Sequence, residues 1–344
     1  MATVLPEYNM TGIDYAQQSH LHYQGPIIDF HAHVMMTRPG DPPNGPPLGV
    51  GPNASIEQAE QMLDVGAEFG IQQTVTMCPS DDIQPLRDRF GDRLAFNAMI
   101  TKKAVDESDD DAYRALDRFL ELGIKVVKLW SAPRGRDRGL IIDAPWRIEA
   151  IRRARAAGVR LAMVHVADPD AWFRTVYTDS AKFGTKADQY VGLERMMNLF
   201  PDLIWIGAHM GGDAEHPDHL QALLEKYPQF YIDTSATKWQ VREVSPRADA
   251  HHALVTKFPD RFLFGTDLVT RHHLVREHYV SRYWCQRTLW ESTWTGPSPI
   301  ADADYVPVEG GPSTPTLQGV GLPREVLDLV YFRNAKRLLN LPIV

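Results

Sequence analysis

The 344-residue sequence has little cysteine, no long apolar run and no excess of basic residues. Its two cysteines, Cys78 and Cys285, are too few for a disulfide framework, which favours a reducing, cytoplasmic location. No apolar run approaches the ~18 residues that span a bilayer. The polar N-terminus, interrupted by Pro6 and Gly12, has no signal-peptide core. Because 44 acidic residues outnumber 36 Lys and Arg, neither nucleic acid nor an anionic membrane is expected as a partner.

Eight short, β-rich apolar runs alternate with amphipathic helical stretches along the chain. The predicted strands span residues 26–34, 73–78, 94–100, 124–130, 159–166, 203–210, 230–235 and 262–268. Several are almost continuously apolar, as expected of parallel strands that are buried on both faces. No G-x-G-x-x-G follows the first strand, which disfavours a dinucleotide-binding sheet. The alternation therefore predicts an α/β chain folded as a closed (β/α)8 TIM barrel.

Capping residues mark several of the predicted helices. Ser55 and Ser108 are placed as N-caps of helices that end at Gly70 and Gly123, and Pro145 begins a third helix. Further helices are predicted over residues 188–200, 217–227, 246–258 and 323–341. The aromatic segment 277–294 has helical spacing, which is typical of a core helix or of a subunit interface.

The chain is expected to form one barrel domain over residues 25–344, preceded by an extension over 1–24. Two Pro/Gly-rich loop insertions, at about 37–53 and 293–322, interrupt the strand–helix alternation. Long loops of this kind are either lids over a binding site or plain surface and oligomer contacts, and the sequence leaves both open.

Histidine and aspartate recur where the predicted strands end. His31 and His33 lie two apart on the first strand, so their side chains share one face. His165, His209 and Asp267 fall near the ends of the fifth, sixth and eighth strands. Taken singly, the histidines are better explained as hydrogen-bonded core residues, and Asp267 could be a turn or N-cap acid. Together they indicate a metal site, because the carboxyl ends of barrel strands meet at one face and these ligands suit Zn²⁺, Mn²⁺, Fe²⁺ or Ni²⁺.

The segments IIDFHAHV, VHVADPD, IGAHMGG, YIDTSA and FLFGTDLV together resemble the metal-dependent amidohydrolase superfamily. The resemblance is to its amidohydrolase-related branch, which includes aminocarboxymuconate-semialdehyde decarboxylase and γ-resorcylate decarboxylase. It runs from about residue 27 to residue 341, and the terminal YFRNAKRLLNL is similar to the closing helix of the branch.

The resemblance implies a set of roles for the residues at the strand ends. His31, His33, His165 and Asp267 would be the ligands of one divalent transition metal, zinc first, with manganese, iron or nickel as alternatives. His209 would act as an acid/base or orient the attacking water, and Asp267 would accept a proton from that water. A small-molecule substrate and a homo-oligomeric assembly, most simply a dimer, are implied as partners.

Two further residues have more than one interpretation. Lys128 lies near the end of the fourth strand, where binuclear members of the superfamily carry a modified lysine between two metals. A lysine there can equally hold an anionic substrate in a mononuclear enzyme, which is the interpretation we prefer. Asp29 precedes the histidine pair and is either a partner of a ligand or a structural turn acid.

Three functions are compatible with this set of residues. The first is a metal-dependent hydrolase, in which metal-activated water attacks a small anionic or cyclic carbonyl substrate. The second is a non-oxidative decarboxylase of a carboxylated aromatic or muconate-type substrate at the same site. The third, from another class, is a non-catalytic binding protein that the metal stabilises.

Cationic and indole side chains follow several of the strands and are candidates for binding the substrate. Trp130 and Arg134 lie at and after the fourth strand, Trp239 after the seventh and Arg271 after the eighth. Such groups suit a carboxylated or aromatic substrate, although a solvated loop would account for most of the arginines.

Overall fold

The computed structural model describes residues 6–36, 55–102, 106–271 and 274–340. The described residues group into two compact units. The first unit is drawn from Met1–Thr74 and Thr234–Asn334, and the second from Val75–Asp233 and Ala335–Val344. The loop insertion predicted at 37–53 lies outside the described residues.

Short strands and amphipathic helices alternate along both units, as the sequence pattern predicts. The strands are β1 (Ile27–His33), β2 (Ile71–Met77), β3 (Leu94–Ile100), β4 (Val126–Trp130), β5 (Leu161–His165), β6 (Ile204–Gly207), β7 (Phe230–Asp233), β8 (Phe262–Leu263), β9 (Leu268–Val269), β10 (Thr295–Pro297) and β11 (Thr316–Gln318).

Thirteen α-helices lie within the described residues. They are α1 (Ile56–Glu68), α2 (Ser80–Phe90), α3 (Asp109–Glu121), α4 (Pro145–Ala156), α5 (Asp170–Thr175), α6 (Ser180–Phe183), α7 (Lys186–Leu199), α8 (Pro217–Lys226), α9 (Thr237–Val244), α10 (Ala248–Lys257), α11 (Arg276–Glu291), α12 (Arg324–Asp328) and α13 (Asn334–Leu339). None of them has both the length and the apolar character of a bilayer-spanning segment.

The second unit contains a run of parallel strands from β3 to β7, each paired with the next. Strands β5 and β7 are buried throughout, and β4 and β6 almost so, which accounts for their nearly continuous apolar sequences. Lys128 of β4 lies in register between Met99 of β3 and Met163 of β5. Two residues further along β4, Trp130 is the register partner of His165 on β5. The sheet therefore presents a lysine, an indole and an imidazole on one face.

The first unit pairs β1 with β9 in parallel, with Ala32 opposite Leu268. Helix α11 packs against α1 and α9, and every residue from Tyr279 to Glu291 is buried. The aromatic segment 277–294 is thus a core helix of this unit. Within the loop predicted at 293–322, β10 and β11 form a short antiparallel pair. The sequence did not predict these strands because the segment is rich in Pro and Gly.

Three predicted elements differ from the structure by more than small shifts at their ends. The eighth strand, predicted as continuous over 262–268, is split into β8 and β9. The sixth ends at Gly207 rather than at residue 210, so that His209 lies beyond it. The terminal helix predicted over 323–341 is interrupted by a π-helical turn at Leu329–Arg333. In the first two cases a non-glycine residue with a positive φ ends the extended backbone.

Capping explains where the predicted helices begin. The Gln58 side chain accepts a hydrogen bond from the Ser55 N–H at 3.0 Å, and the Ser108 hydroxyl accepts one from the Asp111 N–H at 3.2 Å. The pattern did not predict α2, which contains Pro85, or the short helices α5, α6 and α9.

Gln286 of α11 fastens the segments that follow β7 and β8 in the first unit. Its Nε2 donates to the carbonyl oxygens of Thr234 and Gly265 at 2.6 and 2.8 Å, and the side chain is fully buried. The Gly265 carbonyl lies two residues before Asp267. A core helix thereby fixes the backbone of a predicted site residue.

We expect Gln286→Leu to lower the free energy of unfolding by about 1–3 kcal/mol, because two buried carbonyls lose their donor. The matched control is Gln84→Leu on the exposed side of α2, for which a change within about 0.5 kcal/mol is expected. Chemical denaturation at neutral pH measures both. Equal losses in the two variants would contradict the fastening role of Gln286.

Candidate metal centre

Three predicted ligands lie together in the first unit. His31 and His33 are on β1, and Asp267 lies between β8 and β9. Asp267 Oδ1 is 3.3 Å from His31 Nε2 and 3.2 Å from His33 Nε2. One donor atom from each of the three lies within 4.8 Å of the others. The structure thus brings together residues that are 236 positions apart in sequence.

The spacing of these donor atoms fits a divalent ion. Metal–ligand bonds of ~2.0–2.1 Å in a tetrahedral site put neighbouring donor atoms roughly 3.3 Å apart. Two imidazole nitrogens and a carboxylate oxygen are also a ligand set suited to Zn²⁺ and its transition-metal neighbours. Both the distances and the chemistry of the donors are those that a bound metal requires.

Asp29 and Ser235 hold this cluster in place. Asp29 Oδ1 accepts hydrogen bonds from the backbone N–H groups of His31 and Thr266, each at 3.1 Å. Asp29 Oδ2 accepts a third from the Thr266 hydroxyl at 2.5 Å. Ser235 Oγ lies 3.0 Å from His31 Nδ1, which leaves Nε2 directed at Asp267. Asp29 is therefore a structural acid that positions two of the predicted ligands, and Ser235 orients one of them.

Strained backbone marks the ends of three strands. The non-glycine residues with positive φ among those described are His209, Met210, Ala236 and Asp267. They follow β6, β7 and β8, and two of them are predicted site residues. A left-handed residue with a side chain costs about 1–3 kcal/mol and persists where the surrounding structure enforces it, as it does at functional sites. Gly265 adds a close approach, since a Cβ there would lie 3.0 Å from the His31 Cβ.

The second unit brings His165 and His209 together. Their ring centroids are 4.8 Å apart in an edge-to-face arrangement, and both residues are buried. The His209 N–H donates to Asp233 Oδ1 at 2.9 Å, so a buried carboxylate on β7 fixes the histidine that follows β6. The backbone at Gly212 lies very close to the loop that follows β5. A Cβ on this residue would be 2.5 Å from the Ala167 carbonyl oxygen.

His165 is held by a buried acid that the sequence analysis did not single out. Its Nε2 lies 2.8 Å from Asp168 Oδ1, and the Tyr177 hydroxyl donates to Asp168 Oδ2 at 2.5 Å. A hydrogen bond from Nε2–H puts the ring in the tautomer whose Nδ1 carries the lone pair that a cation needs. Burial raises the pKa of Asp168, but His165 and Tyr177 outweigh it and hold the pKa below its usual range. The signal was present in VHVADPD, where an acid follows the histidine by three residues.

The remaining predicted residues belong to different units. Lys128 and Trp130 lie on β4 in the second unit, where Lys128 is buried and Trp130 is 6.0 Å from the His165 ring. Arg134 stacks on Trp130, with its guanidinium carbon 5.3 Å from the ring centroid. Trp239 of α9 and Arg271 after β9 are half-buried residues of the first unit.

The second unit contains another group of potential metal ligands, but these residues surround the ammonium group of Lys186. Asp170, Asp213 and His216 place donor atoms within 4.8 Å of one another. The Lys186 ammonium lies 2.7 Å from Asp170, 2.8 Å from Asp213 and 3.3 Å from Glu215. Burial lowers the pKa of Lys186, but the carboxylates raise it above its usual value overall. This group is an ionic clamp between the loops that follow β5 and β6.

The amidohydrolase family model matches residues 28–341, and the chain therefore belongs to the amidohydrolase family. A search of curated proteins found no significant match. The family assignment agrees with the resemblance carried by the strand-end motifs.

Several solved structures share the fold at low sequence identity. An uncharacterised TIM-barrel protein from Bordetella bronchiseptica is 17% identical, with a TM-score of 0.55 over 91% of this chain and 98% of its own. The 5-carboxyvanillate decarboxylase of Sphingomonas paucimobilis is 13% identical, with a TM-score of 0.53 over 92% and 99%. The dihydroxybenzoic acid decarboxylase of Polaromonas sp. JS666, solved with manganese and 2-nitroresorcinol, is 15% identical, with a TM-score of 0.50 over 93% and 98%. The predicted (β/α)8 barrel is confirmed.

We expect Asp168→Asn to weaken metal binding by about 10–100-fold, because the amide no longer fixes the His165 tautomer. Tyr177→Phe keeps the carboxylate and should have a smaller effect in the same direction. Competition with a chromogenic chelator measures both affinities. Unchanged affinity in Asp168→Asn would show that the acid does not act through His165.

We expect Lys186→Met to lower the free energy of unfolding at pH 7 by about 3–5 kcal/mol, because it leaves buried carboxylates without their cation. Burial raises the pKa of Asp170, but Lys186 and His216 lower it overall. Its stabilising contribution is therefore present above the unfolded value of about 3.9 and is lost as the pH falls through the folded pKa. The gap between wild type and variant should narrow below about pH 4.

The control for this experiment is Lys182→Met, which makes the same change at an exposed position of α6. Denaturant midpoints at pH 7 and at acidic pH measure all three proteins. If the difference in stability between wild type and Lys186→Met does not depend on pH, the carboxylates are not its cause.

Proposed function

We propose that this member of the amidohydrolase family is a metal-dependent hydrolase that acts on a small anionic or cyclic carbonyl compound. The observation that carries the proposal is the placement of His31 Nε2, His33 Nε2 and Asp267 Oδ1 at metal-ligand spacing. A hydrogen-bonded ion pair alone does not explain why two imidazoles on one strand converge on one carboxylate oxygen.

The proposed ion has one further protein ligand, His165 from the second unit. In a (β/α)8 barrel the carboxyl ends of all the strands open onto one face, which supports a shared site for residues at the ends of β1, β5 and β8. We propose a single ion, zinc or manganese, with Lys128 as a cationic group for the substrate and not a metal bridge. Trp130, Arg134, Trp239 and Arg271 are proposed to contact the substrate.

A divalent ion with an open position would polarise a substrate carbonyl and lower the pKa of water to about 7. The chain's own residues would then move the protons. We propose that Asp267 accepts a proton from the water and that His209 gives one to the leaving group. The hydrogen bond to Asp233 holds the His209 backbone, and so limits the positions that its imidazole can reach.

Non-oxidative decarboxylation is the second candidate, and the structural neighbours favour it. Two of the three structures reported above are decarboxylases of aromatic acids, and one of them was solved with manganese. In this reaction a proton from His209 or Asp267 would replace carbon dioxide on a ring carbon as the C–C bond breaks. The same residues would serve, but no water would enter the product.

The purified protein should hold about one equivalent of transition metal, and replacing both His31 and His33 by alanine should remove it. Elemental analysis after dialysis measures the content. A matched control replaces His216 and His219, which lie in the ionic clamp region outside the proposed site, and should keep the metal. Two tightly held equivalents with a modified Lys128 would contradict the single-ion proposal.

The two candidate reactions are separated by product analysis in ¹⁸O-labelled water. Hydrolysis of a lactone or amide puts one labelled oxygen into the organic product, whereas decarboxylation of a hydroxybenzoate gives a phenol that carries no label. We expect His209→Asn to lower either activity by about 10²–10⁴-fold while the metal content stays unchanged. Full activity in His209→Asn would remove the histidine from the proposed mechanism.

A further inference from the structure

Two predicted site histidines are each followed closely by a residue of the ionic clamp. His165 ends β5, and Asp170 lies five residues after it. His209 follows β6, and Asp213 lies four residues after it. All four residues belong to the second unit. The clamp and the two imidazoles therefore lie at opposite ends of the same two short segments.

The segment after β5 is held by side-chain hydrogen bonds along its length. Asp168 Oδ1 lies 2.8 Å from His165 Nε2, and Asp168 Oδ2 accepts a hydrogen bond from the Tyr177 hydroxyl at 2.5 Å. Two residues further, the Asp170 N–H donates to Glu215 Oε1 at 2.7 Å. Because so few residues separate them, a displacement of Asp170 would move Asp168 and, with it, the His165 ring.

The segment after β6 is a tight turn. The Gly212 N–H donates to the His209 carbonyl oxygen at 3.0 Å, and the Asp213 N–H donates to the Met210 carbonyl oxygen at 3.1 Å. Both His209 and Met210 have a positive φ, which leaves the turn little freedom to rearrange. Asp213 and His209 are thus parts of one backbone unit that moves as a whole.

Lys186 of α7 holds both segments at once. Its Nζ lies 2.7 Å from Asp170 Oδ1 in the segment after β5. The same Nζ lies 2.8 Å from Asp213 Oδ1 and 3.3 Å from Glu215 Oε2, both after β6. One ammonium group thus joins the segment that carries His165 to the segment that carries His209.

Stability alone does not explain why these groups are charged. Three carboxylates surround the one ammonium group of Lys186, so negative charge is in excess, and Asp213 and Glu215 are buried. Replacing a buried ionic cluster by apolar side chains is often neutral or stabilising, so such a cluster is weak evidence for stability. What charged hydrogen bonds add over an apolar contact is a defined geometry between the groups that they join.

We infer that Lys186 is a positioning residue of the candidate site, which fixes the separation of the His165 and His209 imidazoles. Their ring centroids are 4.8 Å apart. The inference rests on the proposed function for the roles of these rings, one as a metal ligand and the other as a proton donor. Since a misplacement of about 1 Å can lower a rate about 10²-fold, a contact that fixes this separation would act on catalysis without touching the substrate.

Nuclear Overhauser effects between the two rings test the inference in the metal-free, full-length protein labelled with ¹³C-histidine. The signals of the two rings are assigned with His165→Gln and His209→Asn. We expect an inter-ring effect in the wild type, because the rings are in edge-to-face contact. Lys186→Met should lose most of its intensity, because the two segments are no longer joined.

Leu116→Ala separates a loss of geometry from a loss of stability. Leu116 is buried on α3, which lies between β3 and β4 in the chain, and its truncation leaves a cavity without removing a charge. Thermal unfolding should show that it is destabilised like Lys186→Met, but the inter-ring effect should persist. An effect that survives in Lys186→Met, or that is lost equally in Leu116→Ala, overturns the inference.

A milder variant covers the case in which Lys186→Met does not fold. Asp170→Asn removes one carboxylate charge and leaves Lys186 beside Asp213 and Glu215. It should weaken the inter-ring effect in the same direction. An unchanged effect in Asp170→Asn would then overturn the inference.

The affinity for zinc alone, measured by competition with a chelator, separates this inference from the proposed function. We expect Lys186→Met to bind zinc about tenfold more weakly than wild type, because His165 is less well placed, and Leu116→Ala to bind it normally. If the wild type binds no metal but the inter-ring effect depends on Lys186, the proposed function fails and the positioning role stands. If metal is bound and neither measurement depends on Lys186, the positioning role fails and the proposed function stands.

Discussion

The candidate site depends on buried carboxylates that hold the backbone just beyond the strands. Asp29 accepts the N–H groups of His31 and Thr266, and Asp233 accepts the N–H of His209. Without such acceptors the turns at His209 and Asp267, both with positive φ, would have no reason to keep their strained conformation. Each unit thus contains a buried carboxylate that accepts hydrogen bonds from backbone N–H groups next to a strand end. Acids that touch no substrate in the proposed mechanism thus determine where the reactive side chains stand.

Much of this arrangement could be predicted from the sequence because it follows from strand periodicity. β3 has the predicted bounds, and the H-x-H spacing on β1 places both imidazoles against Asp267. The split between β8 and β9 could not be predicted, since it depends on the Thr266 hydroxyl and N–H reaching Asp29 across the fold. Ser235 was missed for the same reason, because its role is defined only by its distance to His31.

Two buried cations of the second unit, Lys186 and Arg147, have opposite kinds of hydrogen-bonding partners. Lys186 is surrounded by three carboxylates, so its charge is neutralised and the loops after β5 and β6 are tied together. Arg147 is equally deep but bonds only neutral oxygens. Burial, and to a smaller extent Arg138, lower its pKa to about 9, so that it remains protonated at neutral pH. The first cation is thus paired with carboxylates, while the second lies near Arg138, whose charge Asp137 partly offsets.

That contrast bears on the choice between the two candidate reactions. A hydrolase and a decarboxylase would use the same imidazoles and the same carboxylate, so the metal centre does not discriminate between them. The discrimination has to come from how the substrate is held, since one reaction would remove a carboxylate from the substrate and the other would attack a carbonyl. Lys128 and Arg134, which are proposed to contact the substrate, lie on β4 and in the loop that follows it. Which group of a bound anion reaches His165 and His209 would therefore depend on how far that group lies from these two cations.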